Sequence, residues 1–101
     1  MKLNKMPTSN QVLTRQLRDP AFRAEWERTT LARAVATRLV EYRDGHNLTQ
    51  TALAEQLEMK QPAIARLESG EHNPSLHTLL RIANTLGLEF RIAITPHGIA
   101  V

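Results

Sequence analysis

Apolar residues recur at helical spacing along most of the chain. Leu31, Val35, Leu39 and Tyr42 stand at i, i+4, i+8 and i+11, the stripe of a helix with one buried face. Met1 to about Gln11 is polar and is expected to fray, and a short helical stretch is expected from Val12 to Arg18. Asp19-Pro20 then starts a helix, with Asp19 as N-cap and Pro20 at the first helical position. Phe22 and Trp26 share one side of it, and "LARAVATRLVEYRDG" continues helically until Gly45 stops it. Thr49 caps the next helix, Gln50 to about Leu57. Gln61 to about Glu68 follows, ended by Gly70. Asn73-Pro74 makes a turn, Ser75 caps a helix over Leu76 to Leu86, and Gly87 closes it. In "EFRIAIT" the pattern changes to a period of two, with Phe90, Ile92 and Ile94 against Arg91, Ala93 and Thr95, and Pro96 ends that strand. A lone strand leaves its backbone groups unpaired, so pairing of Phe90, Ile92 and Ile94 with a second copy is favoured.

Two short helices joined by a tight turn, behind a longer one, form a helix-turn-helix. Leu53, Ala54 and Leu57 give its first helix an apolar side, and Ala54 is small enough for a close crossing. Ile64 and Leu67 return the contact. That arrangement leaves Lys60, Gln61, Pro62, Ala63 and Arg66 at the start and outer face of the second helix. A helix presented end-on fits the B-DNA major groove, where Gln pairs with adenine, Arg with guanine, and Ala packs on a thymine methyl. Gln50 and Thr51 open the supporting helix where a phosphate would lie.

Charge supports this reading only modestly, because the net charge is +3. Its distribution says more: residues 1–44 carry nine basic and five acidic groups, residues 45–101 four and five. The hydrophobic share of 42% with only 4% aromatic residues fits a helical core of Leu, Ile, Ala and Val. Absence of cysteine excludes a disulfide framework and a thiolate metal site. Neither an apolar leader nor a membrane-length apolar run is visible, so a cytoplasmic location is expected.

Residues from about Leu31 to Leu88 resemble the lambda-repressor-like, Cro/Xre-type helix-turn-helix domains, through "LTQTALAEQL", "QPAIARLESG" and "NPSLHTLLRIANTLGL". The fold implied is mostly α: a five-helix bundle with an N-terminal helical extension and a C-terminal β-strand. It divides into an arm over 1–30, the DNA-binding domain over 31–88, and a strand and tail over 89–101. The resemblance gives Lys60, Gln61, Pro62, Ala63 and Arg66 the DNA contacts and Gln50 a phosphate contact, and it pairs Arg43 with Glu68. Two positions depart from the family. Glu58 stands where a turn glycine is common; if φ is positive there, a side chain costs on the order of 1 kcal/mol. Pro62 replaces a usual polar residue and offers the bases no hydrogen bond.

The flanks, "DPAFRAEWE" and "LGLEFRIAI", resemble the HigA-type antitoxins. That implies a homodimer that binds double-stranded operator DNA, represses its own operon and neutralises a RelE-like (HigB-type) mRNA-cleaving toxin. Phe22 and Trp26 are then candidates for toxin or dimer contact, against the plainer reading that they cover the core. Two rival functions stay open: a stand-alone Cro/Xre-type transcriptional regulator, and a helix-turn-helix interaction module that no longer touches DNA. The four histidines lack ligand spacing and no nucleophile–base pair is visible, so no metal, cofactor or enzymatic activity is expected.

Overall fold

A computed structural model describes residues 8–101; the expected fraying of Met1 to Pro7 lies outside the described residues. Six helices and a short hairpin follow in order: α1 (Ser9–Gln16), α2 (Pro20–Arg28), α3 (Thr30–His46), α4 (Gln50–Gln56), α5 (Gln61–Glu68), α6 (Leu76–Leu86), β1 (Ala93–Thr95) and β2 (Gly98–Ala100). The fold is mostly α, as expected, with a helix-turn-helix at α4–α5.

The core is the meeting of four helical stripes. Leu31, Val35 and Leu39 from α3, Leu53 and Ala54 from α4, Ile64 from α5, and Leu79 and Ile82 from α6 join Leu57 in one buried cluster. α4 and α3 both pack on α5. Leu39, Leu53, Ile64 and Ile82 are fully buried. Transfer of such side chains from water is worth about 1.5–3 kcal/mol each, so this cluster holds α5 in place. Tyr42 and Leu67 pack at its edge.

Most helix ends follow the local chemistry. The side chains of Asp19, Thr49 and Ser75 accept the backbone N–H of Ala21, Ala52 and Thr78, and Gly87 closes α6 in the left-handed region at φ 69°. Four expectations need correction. The first helix starts at Ser9, not Val12, because Thr8 and Gln11 form a reciprocal capping box. Thr29, at φ −100° and ψ 14°, divides the stretch expected to be continuous into α2 and α3. Gly45 does not stop α3; the helix runs through it to His46, and Asn47 takes the left-handed cap at φ 53°. Its N–H and that of Leu48 bond back to the carbonyls of Asp44 and Arg43, and asparagine tolerates this conformation better than most side chains.

The fourth correction concerns the C-terminus. The strand is only Ala93–Thr95, so Phe90 and Ile92 lie before it. It pairs antiparallel with Gly98–Ala100, Ile94 opposite Ile99. Pro96 and His97 make the turn rather than the end of the β structure. The argument from a lone strand to a second copy therefore loses its premise. Phe90 and Ile92 pack against the chain's own core, whereas Ile94 is 81% exposed.

The front of the molecule is attached by specific contacts rather than by burial. Neither α1 nor α2 has a buried residue. The Asn73 side chain joins the α2–α3 junction to the loop after α5. Its Oδ1 accepts the Ala32 N–H at 3.1 Å, and its Nδ2 donates to the Arg28 carbonyl at 3.3 Å. Thr29 makes no side-chain cap for α3, so a residue 41 positions away serves instead.

Candidate nucleic-acid interface

The turn between α4 and α5 decides how α5 is presented. Leu57 ends α4 and Glu58 adopts φ 54°, the left-handed conformation that a glycine would take without steric cost. Met59 N–H bonds back to the Ala54 carbonyl at 2.8 Å, and the Arg81 guanidinium reaches the Glu58 carbonyl at 3.4 Å. Lys60 follows in extended conformation as the N-cap of α5, with Pro62 in the first turn, where proline's missing N–H costs no helical hydrogen bond.

The exposed residues here are Thr51, Lys60, Pro62 and Arg66; Gln50, Gln61 and Ala63 are half-buried. Among the described residues the side chains of Lys60 and Arg66 have no ion-pair partner. Two cations thus stand free on one short helix, as contact with phosphates and base edges requires.

Behind them lies a connected polar network. Arg43, on α3, donates to Glu68 through Nε at 2.7 Å and Nη2 at 2.9 Å, and through Nη1 to the Leu48 carbonyl at 3.0 Å. Gln50 Nε2 donates to Glu68 Oε1 at 3.0 Å, and Gln61 Nε2 donates to Gln50 Oε1 at 2.8 Å. Arg43 and Glu68 therefore form an ion pair. The Glu68 side chain is 6% exposed and that of Arg43 20%. Burial alone would raise the Glu68 carboxyl, but hydrogen bonds from Arg43 and Gln50 and the Arg43 charge outweigh it. They hold the group below the usual carboxylate range. The same hydrogen bond holds Arg43 above its ordinary value. The links Gln50–Glu68 and Gln61–Gln50 join residues 18 and 11 positions apart. No sequence spacing marks them, and only the crossing of α4 over α5 brings them together.

Phe22 and Trp26 lie away from this face. Their rings stack at 6.2 Å between centroids, both half-buried and neither part of the buried cluster. Arg33 of α3 lies 3.4 Å above the Trp26 ring and donates to the Trp26 carbonyl at 2.6 Å. Both aromatics line an open depression of about 450 Å³ with Arg33, Gly70 and His72.

Among the described residues no helix is long and apolar enough to cross a membrane, and no group of three or more His, Asp or Glu is placed to hold a metal ion.

Comparison with known proteins agrees with this geometry. A family model described as "Helix-turn-helix" matches residues 39–92, more than half of the chain. Antitoxin HigA1 of Mycobacterium tuberculosis, in two strains, is 29% identical over 76 residues, which is 75% of this chain and 51% of the relative. An uncharacterized HTH-type transcriptional regulator of Methanocaldococcus jannaschii is 38% identical over 52 residues, 52% of this chain and 79% of the relative. The chain thus spans about half the length of the HigA1 relatives it matches. No solved structure matches it.

Proposed function

The chain belongs to the helix-turn-helix family, and from that premise we propose that it is the antitoxin of a type II toxin–antitoxin pair. In this reading it represses its own operon as a homodimer and neutralises a RelE-like (HigB-type) toxin. The observation that carries the antitoxin half is the extent of the HigA1 similarity. It runs over 76 residues, whereas the helix-turn-helix match covers only residues 39–92, so the likeness continues into a flank that DNA binding does not need.

For the DNA half, α5 enters the major groove. Lys60 meets phosphate, Gln61 and Arg66 meet base edges, Ala63 and Pro62 pack beside them, and Gln50 and Thr51 approach the backbone. Arg66→Ala is expected to cost about 1–3 kcal/mol and to relax preference at one base pair. Two copies bind a near-palindrome with half-sites about one helical turn, roughly 34–36 Å, apart.

For the toxin half, α2 presents Phe22 and Trp26 at i and i+4, the spacing of a helix that fills a partner's groove, and aromatic anchors commonly dominate such interfaces. The test is co-expression with the neighbouring gene, using the full chain and a chain lacking residues 1–30. The full chain should co-purify with a small basic protein, block its toxicity and retard DNA from its own promoter. The shortened chain should keep the DNA shift and lose the neutralisation. A full chain that shifts its promoter but captures no neighbour would return the reading to a stand-alone regulator.

A further inference from the structure

Arg33 and Arg43 lie on the same helix, both half-buried, and their guanidinium groups are engaged alike but for one partner. Arg43 gives Nη1 to the Leu48 carbonyl and turns its Nε–Nη2 edge to the two oxygens of Glu68. Arg33 gives Nη1 to the Trp26 carbonyl and the Thr29 hydroxyl. Among the described residues its Nε and Nη2 meet no acceptor, and no carboxylate pairs with it. Resting on the antitoxin reading above, we infer that this free edge receives an aspartate or glutamate side chain of the toxin, seated in the depression beside Phe22 and Trp26.

The guanidinium is held before any partner arrives. It lies 3.4 Å above the Trp26 ring, and the Gly70 backbone closes over its stem: a Cβ at residue 70 would sit 3.6 Å from Arg33 Cγ. A fork fixed in advance loses little freedom on binding. Burial lowers the pKa of Arg33 from its ordinary value, whereas the hydrogen bond with Glu68 raises that of Arg43. A guanidinium keeps its charge regardless, so Arg33 carries a half-buried charge without a counter-charge. A carboxylate set side-on would make two parallel charge-assisted hydrogen bonds with it, as Glu68 does with Arg43.

The nearby acids are already committed or out of reach. Glu25 pairs with Arg28, Glu27 pairs with Arg23, and Asp19 caps α2. Glu71 stands on the wall of the depression and makes no ion pair with Arg33. Charge complementarity therefore asks for an anion from a partner. The space of about 450 Å³ has room for one acidic side chain and an apolar neighbour against the two rings. A toxin that is basic overall can still present a single carboxylate there, because the contact depends on position rather than on net charge.

The experiment measures the affinity of the purified full chain for the product of the neighbouring gene by titration calorimetry, with single Asp→Asn and Glu→Gln changes across that product. Arg33→Met, which keeps an apolar stem beside Trp26, should weaken binding by about ten-fold or more while promoter DNA is still retarded. Arg33→Lys should recover only part of the loss, because an ammonium lacks the fork. One carboxylate change in the neighbour should cause the same loss with the native chain, and combining it with Arg33→Met should cost little more. A role for Arg33 confined to holding α2 would make the two losses add. Additive losses, or a neighbour in which no single carboxylate change weakens binding, would overturn the inference. So would an Arg33→Met chain that binds as tightly as the native one. An Arg33→Met chain that turns from dimer to monomer without the neighbour would also overturn it, by giving the anion to a second copy. If Arg33→Met proves unfolded by circular dichroism, Arg33→Lys takes its place in the cycle. A native chain that captures no neighbour would overturn the antitoxin reading, and the inference with it.

Discussion

The stretch from α3 to α6 and the flanks formed by α1, α2 and the hairpin differ less in composition than in how they are held. Every helix from α3 to α6 contributes to one buried cluster; the ion pair between Arg43 and Glu68 is largely enclosed and accepts a further hydrogen bond from Gln50, to which Gln61 donates in turn. The flanks have no buried residue in either helix or either strand. Their ion pairs, Arg23–Glu27, Arg28–Glu25 and Arg91–Glu89, have side chains 58–90% exposed, a setting in which such pairs contribute little. Burial makes the first region a fixed platform for α5. The second is fastened at a few points, Asn73 and the Arg33–Trp26 stack among them, and its surfaces stay available to a partner.

The sharpest way to break this contrast is to compare truncations. Leu53→Ala, at a fully buried site, is expected to cost about 2–5 kcal/mol in urea unfolding. Ile94→Ala should stay within about 0.5 kcal/mol of the native chain. Equal losses would mean that the hairpin is part of the cooperative core.

The second test is Arg43→Ala, which strands a buried carboxylate. A loss of about 2–3 kcal/mol is expected near neutral pH, and Arg28→Ala in the flank should cause no measurable change. The pH dependence has a definite sign. Glu68 is held below its ordinary value in the folded state. Its contribution is therefore complete above the unfolded carboxylate pKa, about 4.3, and is lost as pH falls through the folded value. The deficit of Arg43→Ala should shrink on acidification through that window, read from unfolding curves at several pH values. A constant deficit would place the cause elsewhere than in the pair.

The smallest effects concern backbone geometry. Glu58→Gly should stabilise by about 1 kcal/mol, seen as a higher urea midpoint with unchanged slope. Asn73→Ala should cost about 1 kcal/mol as a lost cap and speed amide exchange in the first turn of α3, while α5 keeps its protection.

The same division governs what could be read in the chain. Asp19-Pro20, Thr49, Ser75 and Gly87 act on neighbours one to three positions away, and their roles are plain from sequence. So is the alternation of apolar residues that builds the cluster. Thr8 to Gln11 spells a capping box, a local signal that sets the start of α1. The choice of Asn47 over Gly45 as the end of α3 is also local, but two cap signals compete there and the glycine is the louder. The hairpin is harder to read, because Pro96 signals a stop as strongly as a turn, although Thr95 and Gly98 bracket it as a turn. The Gln61–Gln50–Glu68 row and the Asn73 clamp lay beyond sequence reasoning altogether, since they depend on how helices cross.

Asn73 also bears on how the molecule ages. Asparagine side chains decay in water when the next backbone nitrogen attacks the amide and closes a succinimide ring. Residue 74 is proline, whose nitrogen has no hydrogen to lose, so that route is closed at the clamp. Asn47 and Asn84, followed by Leu48 and Thr85, have no such protection. The same holds for Asn4 and Asn10, followed by Lys5 and Gln11, so in a stored sample the mass increase of deamidation should accumulate in peptides containing Asn4, Asn10, Asn47 or Asn84, while the residue that ties α2 and α3 to the loop after α5 is spared this route.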